Sequence, residues 1–160
     1  MADLTQAAPQ EITATLEEVV RRRADLHQAI IGLERAAAES AGGREEQWQA
    51  GVIAALEEVE SEIVDHIEVT ERDHGLYDEI IDVAPRLSRN IEVLRNEHPE
   101  MQAATSALRA RLVSAPVRGD DAVAEARHAI EHVLAQLVSH RRRGADLLWE
   151  AYSLDTGGGE

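Results

Sequence analysis

Cysteine is absent from the 160 residues, so neither a disulfide nor a thiolate metal site is available. Phenylalanine is absent too, and the only Trp and Tyr rings are two of each. A core built from this chain must be Leu, Ile, Val and Ala, the usual filling of a helical bundle. There is no lysine, and every fixed cation is an arginine. No apolar run approaches the roughly 20 residues needed to span a bilayer. The opening "MADLTQAAPQ" lacks the basic and apolar regions of a signal peptide, so the cytoplasm is the expected location. A phosphate-binding glycine loop is missing as well, because "TGGGE" precedes no helix.

The net charge is -15. Phosphate contacts need a surplus of Lys or Arg, which argues against nucleic acid as a partner. Anionic membrane surfaces are disfavoured for the same reason. An acidic surface of this kind keeps a protein soluble.

Apolar spacing organises the chain into four helical segments. Residues 1–10 are expected to be disordered and residues 154–160 to form a flexible tail, with one bundle domain over 11–153 between them. The first helix is expected over 11–39, where Ile12, Leu16, Val19, Leu26, Ile30 and Leu33 step by threes and fours along one face. Thr13 or Thr15 would cap its start. "SAGGRE" supplies two glycines to end it. A second helix, Glu45 to about His74, carries the stripe Val52, Leu56, Val59, Ile63, His66, Thr70. Gly75 is the expected stop, followed by a short helix or a continuation in "LYDEIIDVAP" up to Pro85. A third helix over 86–113 carries Leu87, Ile91, Leu94, His98, Met101, Thr105, Leu108 and Leu112, with a kink expected at Pro99. After "SAPVRGDD", Asp120 or Asp121 caps a fourth, 121–153, with Val123, Ala126, Ile130, Val133, Leu137, His140, Gly144, Leu147 and Ala151 in phase. No segment shows a period of two. The reading is all-α, an up-down-up-down four-helix bundle.

Three histidines, His66, His98 and His140, fall on the apolar stripe of their helices, and His27 stands at the edge of the first. His74, His128 and His132 are out of phase and expected to face water. A single stripe histidine is ordinarily a core residue with one hydrogen-bond partner. Several converging in one core are costly to bury without partners, and a metal ion is a partner they could share. Arg23 falls near the stripe of the first helix and is expected to reach an interior or interhelical acid.

Four stretches, "LHQAI", "HIEVTERDHGLYDEI", "LRNEHPEM" and "HRRRGADLLWEAY", taken in order, resemble the hemerythrin-like (HHE) domain. That resemblance covers about residues 12–152. It implies a four-helix bundle with a di-iron centre held by His27, His66, Glu71, His98 and His140. Departures from the family pattern fall on both bridging carboxylates and on the paired histidine. Thr70 stands four residues after His66, with Glu71 one place further. Leu94 and Gln102 flank His98 where a paired histidine would be, and Gly144 and Ala145 follow His140. One residue of shift turns a helical side chain by about 100°, so Glu71 enters the core only if the helix is overwound. The ligand set is therefore incomplete. The functional expectation is a metal-binding bundle that senses or stores iron, oxygen or an oxidant, more a binding protein than an enzyme. The alternative is a metal-free bundle serving as an interaction or homodimerisation module.

Overall fold

The computed structural model describes residues 7–153, with side chains from residue 15 onward. Five α-helices follow one another: α1 (Ala7–Ala38), α2 (Glu45–Glu71), α3 (Leu76–Val83), α4 (Ser88–Ser114) and α5 (Asp120–Ser153). A single 3-10 turn, Pro85–Leu87, leads into α4. There is no strand among the described residues, and the four long helices pack as an all-α bundle.

α1 starts at Ala7 rather than at Glu11, so Thr13 and Thr15 lie inside the helix and not at its start. Pro9 is tolerated there because the amide groups of a first helical turn have no intrahelical acceptor. Residues 1–6 and 154–160 lie outside the described residues, and with them the expectation of disorder at both ends. α4 runs continuously across Pro99. At the start of α5, Asp120 and Asp121 place negative charge where the helix dipole favours it.

Buried apolar side chains, mostly aliphatic, gather into two blocks. One contains Leu26, Ile30, Ile63, Met101 and Leu137. The other contains Val19, Val69, Tyr77, Leu94 and Leu147. α1 passes from the second block to the first, α2 from the first to the second, α4 back again and α5 back once more. That alternation is the up-down-up-down path. α1 packs on α2, α2 on α4, α4 on α5 and α5 on α1, which closes the ring.

The connection between α2 and α3 decides how the site is assembled. α2 ends at Glu71, three residues earlier than the stripe alone indicates. His74 takes a left-handed φ of 59°, and its backbone N–H donates to the Asp78 carboxylate at 2.9 Å. Asp78 thus reaches back over the start of α3, half of the reciprocal arrangement that fixes many helix N-termini. Gly75 is required for a different reason, close approach. A Cβ there would stand 2.8 Å from the Arg72 carbonyl oxygen and 3.0 Å from that of Val69. Both are backbone atoms that cannot swing aside. Gly75→Ala is accordingly expected to destabilise the fold by about 1–3 kcal/mol, read as a lower urea midpoint. An unchanged midpoint would show that the turn relaxes freely.

Candidate metal centre

Between the two aliphatic blocks lies one polar layer. On α2, His66 stands between Ile63 and Val69; on α4, His98 between Leu94 and Met101; on α5, His140 between Leu137 and Leu147. The 3.6-residue period that buries the aliphatic neighbours buries the imidazoles with them. Their relative exposures are 4%, 1% and 2%. One potential ligand atom from each residue lies within 4.8 Å of the others. The rings meet edge to face, with His66 5.2 Å from His98 at 90° and 5.3 Å from His140 at 87°. His98 and His140 are 4.8 Å apart between centroids.

The hydrogen bonds set the tautomers. His98 Nδ1 donates to the Glu71 carboxylate, and His140 Nδ1 donates to Glu97 at 2.7 Å. A carboxylate only accepts, so each of these rings holds its proton on Nδ1 and keeps a lone pair on Nε2. Carboxylates behind the outer nitrogen are how proteins orient metal-ligating histidines and raise their basicity. His66 Nε2 lies 3.2 Å from His140 Nε2. Two ligands of a tetrahedral ion, each at about 2.0–2.1 Å, stand about 3.3 Å apart. The pair therefore already has the spacing of two ligands on one ion. Within the 4.8 Å limit the third nitrogen has to close by no more than about 1.5 Å to match. Two buried imidazole nitrogens, His66 Nδ1 and His98 Nε2, have no hydrogen-bond partner among the described residues. Each such group costs about 1–3 kcal/mol when left unmade.

Burial dominates the electrostatics. It pushes the pKa of His66 well below the ordinary histidine value, and the neighbouring His140, His98, Arg23 and Arg141 push the same way. His98 is also lowered by burial, against the opposing pull of Glu71 and Glu97. His140 falls to about 4, again through burial and against its bond to Glu97. At neutral pH all three rings are uncharged. No proton has to leave before a cation binds; the hydrogen that His66 Nε2 shares with His140 Nε2 need only move to His66 Nδ1, which has no other partner among the described residues.

Two of the sequence-derived ligands need correction. His27 is not in the cluster; its Nδ1 accepts a hydrogen bond of 2.9 Å from Arg141. It follows Leu26 by one residue, and that step turns it off the layer. Glu71 does reach the site, but behind His98 rather than among the rings. It is one residue past the in-phase Thr70, whose hydroxyl donates instead to the His66 carbonyl at 2.8 Å. Glu97 was not singled out as a site residue. Its only signal was its place beside His98, and it serves His140 on the next helix. Arg23 occupies the layer position on α1, between Val19 and Leu26. It finds no acid: its Nη2 donates to the Arg141 carbonyl at 3.3 Å, and no carboxylate among the described residues lies within ion-pair distance.

Two Leu-aromatic pairs look alike in sequence and part ways here. Tyr77 is buried and stacks on His98, 6.0 Å between centroids and 9° from parallel. Trp149 is 73% exposed. As the sequence phase indicated, His74, His128 and His132 face outward.

No family model matches the chain, and neither a curated protein nor a solved structure matches it.

Proposed function

We propose that this protein binds a single divalent first-row transition-metal ion through His66, His98 and His140, within a bundle distantly akin to the hemerythrin-like domains. One observation carries the reading: three neutral imidazoles from three helices converge, and two have their outer nitrogens held by carboxylates. Three imidazoles and no carboxylate ligand suit zinc, copper, nickel or ferrous iron. Two irons would require bridging carboxylates, and Glu71 and Glu97 are engaged behind the rings. One ion with three protein ligands also leaves room for an exogenous ligand, as in zinc sites that do chemistry rather than hold structure. This suits sensing or storage of a metal, oxygen or an oxidant.

The experiment is metal titration of protein purified without a histidine tag and stripped with chelator. Cobalt(II) should bind at one equivalent per chain, give visible absorption of a nitrogen-ligated ion, and be displaced by zinc. A colourless protein with no stoichiometric ion at neutral pH would overturn the reading and favour the metal-free interaction module.

A further inference from the structure

A guanidinium in the same layer as a metal site is electrostatically out of place, and Arg23 is such a group. It is the contribution of α1 to a layer that the other three long helices fill with imidazole. Its charge is felt at His66 and His140. The chain has made room for it. A Cβ on Gly144 would lie 2.8 Å from Arg23 Nη1, so the glycine in the middle of α5 opens the space into which the guanidinium fits. A mid-helix glycine is unfavourable by propensity, and here it has this packing reason. Among the described residues, Arg23 nevertheless lacks an acidic partner. Its only hydrogen bond among the described residues is to the Arg141 carbonyl, and Arg141 brings a second cation alongside.

We propose that the polar layer binds a small carboxylate-type oxyanion between Arg23 and the ion held by the three histidines. This rests on the metal reading above. Two cations in one polar layer repel, and an anion bound by both turns the repulsion into two attractions. Guanidinium binds planar carboxylates with charge-assisted hydrogen bonds and is always protonated. Its partly buried setting, stripped of much of its water, strengthens those bonds further. The three histidines leave the ion open to such a ligand, so the oxyanion completes both partial sites at once.

Formate is the probe, and the cobalt(II)-loaded full chain is the sample. Cobalt loading is read first, from the visible spectrum, and formate is then titrated at constant ionic strength. Wild type should show a saturable spectral change that the neutral analogue formamide does not produce. Arg23→Gln should keep cobalt and bind formate about tenfold to a hundredfold more weakly, the worth of a hydrogen bond to a charged group. Arg23→Lys should recover part of the loss. Gly144→Ala keeps the arginine but crowds Nη1, so it should weaken formate while raising the melting temperature. Equal formate affinity in wild type and Arg23→Gln, or no formate response in either, overturns the oxyanion site while the metal site stands. Failure of cobalt to load overturns both and is seen before any formate is added.

Discussion

Replacing His140 by alanine should abolish tight metal binding, while replacing His128 and His132 together should leave the single tight equivalent unchanged. The contrast is one of phase. His140 is buried at the centre of the layer, 3.2 Å from His66, whereas His128 and His132 pair with each other on the outside of α5, 4.8 Å between rings. Structural zinc sites contribute about 10–16 kcal/mol over four ligands, so losing one ligand costs roughly 3 kcal/mol, a hundredfold or more in affinity. His98→Ala should match it. Glu97→Gln is the graded case: it keeps all three ligands but removes the charge behind His140, and should weaken binding about 10–100-fold. Isothermal titration with zinc measures all four variants. Equal losses from His140→Ala and from the surface pair would mean that the faces are wrongly assigned.

In the presence of chelator, stability should fall steeply as pH drops from 6.5 towards 4. His140 has a folded-state pKa of about 4, below the roughly 6.5 of an unfolded histidine. Between those values the unfolded chain takes up a proton that the folded chain refuses. Stability therefore rises with pH through this window, is complete above about 6.5, and is lost on the way down. The gap corresponds to roughly 3 kcal/mol from His140 alone. His66 and His98 are lowered in the same direction and add to it. Carboxylates titrate mostly below pH 5, so the upper half of the window isolates the histidines. Urea midpoints at pH 7 and pH 5.5 should differ strongly in wild type and less in His140→Ala. Identical pH dependence in the two proteins would show that His140 is not buried uncharged.

The bundle was legible because its core is aliphatic and strictly in phase. The stripes read from the sequence from Val52 to Thr70 and from Ile91 to Leu112 are the faces that are buried. The same phase found His66, His98 and His140. Axial position was harder. His66 lies 19 residues before Pro85 and His98 13 after it, an offset of six residues, about 9 Å along an unbroken helix. The break after Glu71 makes that count inapplicable, because residues 72–87 leave the long helix. It depends on a left-handed His74 and on Asp78 reaching back, neither of which has a periodic signature. The partners of the histidines were least legible. Glu97 and His98 are neighbours in sequence, yet a 100° turn sends them to different rings. Arg23, near the stripe of the first helix, is expected from sequence to reach an interior or interhelical acid. What it meets instead depends on a glycine on α5, adjacent in the ring of packing but more than a hundred residues away in sequence, which no local pattern in α1 reveals.

The polar layer also fixes vertical alignment. Aliphatic stripes alone would let one helix slide past its neighbours by a turn, about 5.4 Å, and still bury leucine against leucine. Here such a slip carries an imidazole into an all-aliphatic block. On α2, His66 would move to the level now held by Ile63 or Val69, away from His98 and His140. Glu71 and Glu97 would lose the rings they hold, and each stranded buried group would cost about 1–3 kcal/mol. A single polar residue in a coiled-coil seam selects one register in the same way. With four helices each contributing one polar group at the same height, the bundle has one setting in which all four are level, and that setting is also the one that assembles the site.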